Sequence, residues 1–98
     1  MSRIIFLRPD AARDIEDAEI WHEDQRSGLG DDFLDCVDEV LERIQQQPEL
    51  YAAEFKRVRR APMNRFSYIV YYRLTSDLID VIGVIHASRS SRVWRDRI

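Results

Sequence analysis

The chain has 98 residues, a formal net charge of −3, 45 % hydrophobic and 34 % charged residues, a composition that excludes a disordered chain. Three Gly and three Pro exclude a collagen-like or linker-dominated sequence, and a single cysteine, Cys36, excludes a disulfide framework or a cysteine-built zinc knot. This length accommodates a modest core, so residues 1–98 read as a single domain.

The opening MSRIIFLRPD places charge on both sides of four apolar residues, too short for a signal segment, and no apolar run reaches membrane-spanning length. A cytoplasmic protein with no membrane contact is expected. Ile4–Leu7 read as a strand buried on both faces or at a sheet centre. Pro9 then stops the strand, and Asp10 is the expected N-cap of a helix. Ala11, Ile15, Ala18 and Trp21 or His22 recur at helical spacing, a thin stripe that predicts close approach to a neighbour. Ser27-Gly28-Leu29-Gly30 breaks that helix, and Asp31 or Asp32 is expected to cap the next. Leu29, Phe33, Val37, Val40, Leu41 and Ile44 form a strong amphipathic stripe with Cys36 beside it as a buried structural thiol. Pro48 ends the stripe, so the two helices make an antiparallel hairpin.

Beyond Pro48 the period changes. Residues 55–60 read as a strand, 61–64 as a turn, 66–73 as a second strand rich in aromatic and β-branched residues, and Leu78–His86 as a third. The fold expected is α+β in the order β-α-α-β-β-β, with the helical hairpin covering one face of a small, mainly antiparallel sheet.

The charge is unevenly placed. Residues 1–50 carry five Arg against fourteen Asp and Glu, whereas residues 51–98 carry ten basic residues against four acidic ones. No Gly-rich phosphate loop, His-x-Glu or Cys-x-x-Cys pattern occurs, so neither metal nor cofactor is expected. Arg57, Arg59, Arg60, Arg65, His86, Arg89 and Arg92 are expected to meet on one exposed sheet face or edge, where guanidinium groups would hold an anionic partner. Residues 87–98 hold four Arg, one Asp and the large apolar Trp94 and Ile98, and read as a weakly anchored segment that serves activity more than stability.

Several motifs together carry a resemblance. They are Asp14-Ile15 with Ala18 and Trp21, Gly28-Leu29-Gly30 with Phe33, Ile44 with Pro48 and Tyr51, and Arg59-Arg60. Phe66-Ser67-Tyr68-Ile69-Val70-Tyr71 and Val81-Ile82-Gly83-Val84-Ile85-His86 follow, then Arg89 and Trp94. In order and spacing the chain resembles the RelE/ParE superfamily of toxins from bacterial type II toxin–antitoxin modules, often labelled plasmid stabilisation proteins. That family implies the fold already read and two activities upon it. RelE-like members cut mRNA on the ribosome with basic sheet residues and a C-terminal aromatic hydroxyl or histidine; ParE-like members bind and inhibit DNA gyrase. Here Tyr68 stands where the RelE branch typically has Arg, Trp94 replaces the C-terminal tyrosine, and Lys56 is the only lysine.

The resemblance is therefore closer to the ParE branch. It implies a non-enzymatic gyrase-binding toxin in a hetero-oligomer with its cognate antitoxin, with Arg59, Arg60, Arg65, Arg89, Arg92 and Trp94 expected to meet the target. An aromatic surface of Tyr68, Tyr71 and Tyr72 is expected to take the antitoxin by coupled folding. The alternative is a ribosome-dependent mRNA endoribonuclease in which His86, Arg65 and Arg89 form the catalytic set.

Overall fold

Pro9, which presets a helical φ and lacks an N–H that would go unused, occupies the first turn of helix α1, Pro9–Gln25. In the computed structural model, which describes residues 3–98, the N-cap is Arg8 with no side-chain cap bond. Asp10 lies inside the first turn, where it faces the positive end of the helix dipole rather than capping it. Gly28 then turns the chain at φ +90°, a conformation that costs glycine little, and α2 runs from Leu29 to Gln46.

Neither Asp31 nor Asp32 caps α2; both lie in its first turn. Glu23 of α1 does that work instead. Its carboxylate accepts the Gly28 N–H at 3.1 Å and the Gly30 N–H at 3.0 Å, two donors that the start of a helix leaves unpaired. These bonds hold the Glu23 carboxyl below its ordinary range. A Cβ on Gly30 would come within 2.9 Å of the Glu19 carbonyl oxygen, so the two helices cross closely at this corner.

The sheet order is β1-β4-β3-β2, with β1 Ile4–Leu7, β2 Arg59–Pro62, β3 Tyr68–Leu74 and β4 Leu78–His86. β1 pairs in parallel with β4 (Ile5 opposite Ile79), and the other pairings are antiparallel. The expected α+β architecture is thus observed. The expectation that β1 is central or doubly buried is corrected. It is an edge strand, with Ile4 67 % and Phe6 47 % exposed, because the longer β4 occupies the centre and only Ile5 and Leu7 face the hairpin.

The first strand of the meander also departs from expectation. Residues 55–57 form a 3-10 turn, and β2 begins at Arg59 and includes Ala61 and Pro62, which had the look of a turn. Lys56 and Arg57 adopt φ of 51° and 67°, which breaks any extended run there. Pro62 is accommodated because β2 is an edge strand and its missing N–H removes no inner ladder bond. The turn moves to residues 63–67, where Phe66 and Ser67 have positive φ.

Both sheet faces are covered. The hairpin face buries Phe33, Val37, Val40, Ile44, Val70, Tyr72, Ile79, Val81 and Val84. The other face buries Val58, Ile69, Tyr71, Ile82, Ile85 and Trp94, with Val93 and Ile98 packed on it. Between Tyr71 and Tyr72 the pairing skips a residue on β4, so Val81 and Val84 point one way and Ile82 and Ile85 the other. Without that bulge every side chain beyond it would change face.

Tyr71 and Tyr72 are 4 % and 0 % exposed and pack on opposite faces, so they do not form the open aromatic surface expected of them. The Tyr72 hydroxyl donates to the Pro48 carbonyl at 2.8 Å. Its burial pushes its pKa up to about 12, with Arg59 opposing. A raised folded pKa contributes stability that is complete below the unfolded value near 10 and is lost as pH rises through the folded value. Alkaline titration followed by tyrosinate absorbance should therefore show the Tyr72 phenol ionising together with unfolding. Tyr72→Phe should remove that alkaline dependence and cost about 1 kcal/mol at neutral pH in denaturant melts.

Candidate functional site

Two adjoining cavities of about 240 and 410 Å³ share Trp21, Tyr68, His86 and Arg89 and form one groove between α1 and the Tyr68–His86 end of the sheet. Its floor is aromatic. His22 is buried, with Nδ1 at 2.6 Å from the Ala18 carbonyl, and stacks on Phe33 at 5.0 Å between ring centres. Tyr68 meets Phe33 and His86 edge-on at 5.0 and 5.2 Å. Burial raises the Tyr68 phenol pKa, with Arg89 opposing. Trp21 forms one wall with its indole 58 % exposed, an uncommon cost for a helix surface and a ready apolar contact.

His86 ends β4. Its Nδ1 accepts the Ser88 N–H at 3.1 Å and lies 2.8 Å from Ser88 Oγ. An amide can only donate, so Nδ1 is the unprotonated nitrogen and Nε2 carries the hydrogen. Arg89 is exposed beside it, and among the described residues it has no carboxylate within ion-pair distance.

The remaining arginines do not converge here, which corrects the expectation of one shared face. Arg65 lies 3.9 Å from Asp32 and over the Phe66 ring, outside the groove lining. Arg60 reaches Glu54 at 3.8 Å and lies over Tyr71. Arg57 and Arg59 are at the other end of the sheet, beside Arg3 and the β3–β4 turn. Arg92 and Arg95 are exposed on α3, Arg92–Arg95. Trp94 is 3 % exposed and stacks on Tyr71 at 5.1 Å, so it packs the second core and presents no ring to a partner. Among the described residues no group of three His, Cys, Asp or Glu side chains gathers to hold a metal ion.

Residues 5–91 match the sequence model of the family described as the ParE toxin of the type II toxin–antitoxin system, parDE. The chain belongs to the ParE toxin family. Two curated relatives are 42 % identical over 50 residues: Toxin ParE2 of Mycobacterium tuberculosis strain CDC 1551 / Oshkosh and of strain ATCC 25618 / H37Rv. That stretch is 51 % of this chain and 48 % of theirs, so the chain spans about half the length of the curated relatives it matches. A solved structure of the chromosomal ParDE TA system from P. aeruginosa superposes with a TM-score of 0.69, covering 88 % of this chain and 97 % of that one. At 16 % identity that likeness shows a shared fold alone. No helix among the described residues is long and apolar enough to cross a membrane.

In this ParE-family chain the lower wall of the groove rests on a contact that the sequence pattern did not reveal. Arg97 binds both oxygens of Asp14, at 2.6 and 3.0 Å, and donates to the Ile82 carbonyl at 3.2 Å. Asp14 also accepts the Val84 N–H at 3.0 Å. Arg8 donates to the Arg97 carbonyl at 2.8 Å and grips Asp80 with two bonds of 2.8 and 2.9 Å. Residues 87–98 are therefore not lightly held, as their charge had implied. The one legible signal was Gly83 inside a strand, a mark of close approach. A Cβ there would stand 2.7 Å from Arg97 Nη1 and 3.2 Å from Asp14 Oδ2.

Arg97→Ala should cost about 2 kcal/mol, because it leaves the mostly buried Asp14 carboxylate short of its charged donor. That loss corresponds to about 10 °C in melting temperature for a domain of this size. Gly83→Ala should destabilise by a comparable amount, and the double variant should be little worse than either single one, as differential scanning calorimetry can read.

Proposed function

We propose that this ParE-family chain is the toxin of a toxin–antitoxin pair, acting in the cytoplasm by binding and inhibiting DNA gyrase rather than by cleaving RNA. One observation carries the reading. Cleavage would need His86, Arg65 and Arg89 around one phosphate, whereas the groove is lined by His86 and Arg89 while Arg65 is turned to Asp32. His86, the proton carrier that this cleavage would use, has Nδ1 bonded to Ser88. A binding toxin needs only shape and charge; Arg89 is exposed in the groove with Trp21, and Arg92 is exposed on α3.

The antitoxin is the second partner in this reading. Tyr68 and the exposed Trp21 are the aromatic groups that the groove offers to it, whereas Tyr71 and Tyr72 are buried. The family whose model it matches is described as the toxin of a type II toxin–antitoxin system, which supports a partner of that kind. Arg59, Arg60 and Arg65 remain candidate target contacts from the rim of the sheet.

The reading is tested on one purified sample, in gyrase supercoiling and cleavage assays run beside ribosome-programmed mRNA cleavage. Gyrase inhibition with intact mRNA is expected; mRNA cut without any effect on gyrase would replace the reading with the nuclease. In cells, His86→Ala should leave growth arrest largely intact at equal protein level. Arrest lost by a variant with a normal melting temperature would point to proton transfer and against simple binding.

A further inference from the structure

At the end of the sheet opposite His86, a cavity of about 470 Å³ is lined by Arg3, Arg57, Arg59, Glu49, Thr75 and Ser76, with Ala53 and Leu74 completing it. Three arginines and one glutamate line it. Among the described residues none of the three lies within ion-pair distance of an acid, in contrast to Arg8, Arg73 and Arg97. Neutral carbonyls position two of them instead. Arg3 Nε donates to the Thr75 carbonyl at 2.7 Å, and Arg59 Nη1 donates to the carbonyls of Tyr51 and, at 3.4 Å, Glu49. Such bonds fix a guanidinium without cancelling its charge and leave its other N–H groups unspent.

The third arginine reaches the cavity through costly backbone. Lys56 and Arg57 are consecutive non-glycine residues at positive φ, closed into a turn by Arg57 N–H to the Glu54 carbonyl at 3.2 Å and Glu54 N–H to the Val58 carbonyl at 2.8 Å. The hydroxyls add donors. Thr75 Oγ1 accepts the Leu78 N–H at 2.9 Å, so its own hydrogen is free to point elsewhere.

We infer that this cavity is an anion site that takes a phosphate group, held by Arg3, Arg57 and Arg59 with Thr75 and Ser76 as further donors. Donors arriving from three separate segments suit a tetrahedral anion with several oxygens better than a planar carboxylate, which a single fork satisfies. The cavity is larger than a bare phosphate and leaves room for a substituent on it. The site is separate from the His86 groove and does not depend on the function proposed for it.

Isothermal titration of the full chain at fixed ionic strength tests the site, with inorganic phosphate, pyrophosphate, a nucleoside 5′-monophosphate and a short oligonucleotide as probes. Saturable one-to-one binding of pyrophosphate is expected, weakened about tenfold or more by Arg57→Gln with Arg3→Gln, a change in line with losing charged hydrogen bonds. Arg57→Gln alone, at an exposed side chain, should show the same direction with unchanged circular dichroism. Arg13→Gln with Arg26→Gln, which removes equal charge from exposed positions of α1 and its end, should change affinity less than about twofold. Tight monophosphate binding identifies a free nucleotide-like ligand, and tighter oligonucleotide binding without a terminal phosphate identifies a nucleic-acid backbone; both support the site. No saturable binding by any probe, or equal weakening by the α1 variant, overturns it.

Discussion

The Arg97 guanidinium, fixed by Asp14 on one helix and by the Ile82 carbonyl on the central strand, adds a charged tie between elements that also meet through the core. Asp14 also takes the Val84 N–H, so one carboxylate ties α1 to β4 just beyond the bulge. Arg8 then connects the end of β1 to the Arg97 carbonyl and to Asp80. With these bonds made, residues 92–98 lie against the second sheet face and Trp94 can stack on Tyr71. The interaction is partly buried and well supplied with hydrogen bonds, the condition under which a charged pair offsets its desolvation. Arg97, accordingly, is a structural arginine amid several that are not.

That distinction separates the cationic groups of the chain into two kinds. Arg8, Arg73 and Arg97 are matched to acids and hold the fold. Arg89 at one end of the sheet, and Arg3, Arg57 and Arg59 at the other, lack such partners among the described residues. The acidic half of the sequence is spent mostly on the outer faces of the hairpin, with Glu23 diverted to cap α2. A molecule of small net charge therefore carries three arginines around one cavity and a lone arginine without an acidic partner at the opposite end of the sheet.

Much of this was readable from the residues. The stripe Phe33, Val37, Val40, Ile44 has helical spacing and the run 78–86 is apolar, so burial on one face or two determined their type. The boundary of β2 was hidden because Lys56 and Arg57 enter the left-handed region without the Gly or Asn that usually marks it. Tyr71 and Tyr72 looked like surface since adjacent tyrosines seldom both vanish, but a strand covered on both sides buries each in its own core. The groove was half legible: Tyr68, His86 and Arg89 stood out by type, whereas Trp21 could equally have served the helix packing. Asp14 and Arg97 are 83 residues apart, and charge pairing at that range leaves no periodic trace.

The sheet order has a consequence in time. Strand β4, on which both neighbouring strands and both cores depend, is made after β1, the hairpin, β2 and β3. Until it emerges from the ribosome, β1 has no partner strand and the apolar stripe of α2 has only part of a sheet to cover it. Parallel pairing across so long a stretch of chain is slow to close, because loop entropy is lost before contacts form. A growing chain thus passes through most of its synthesis with sticky helices and no finished groove. That delay leaves an interval in which chaperones can meet the apolar surface of the unfinished chain.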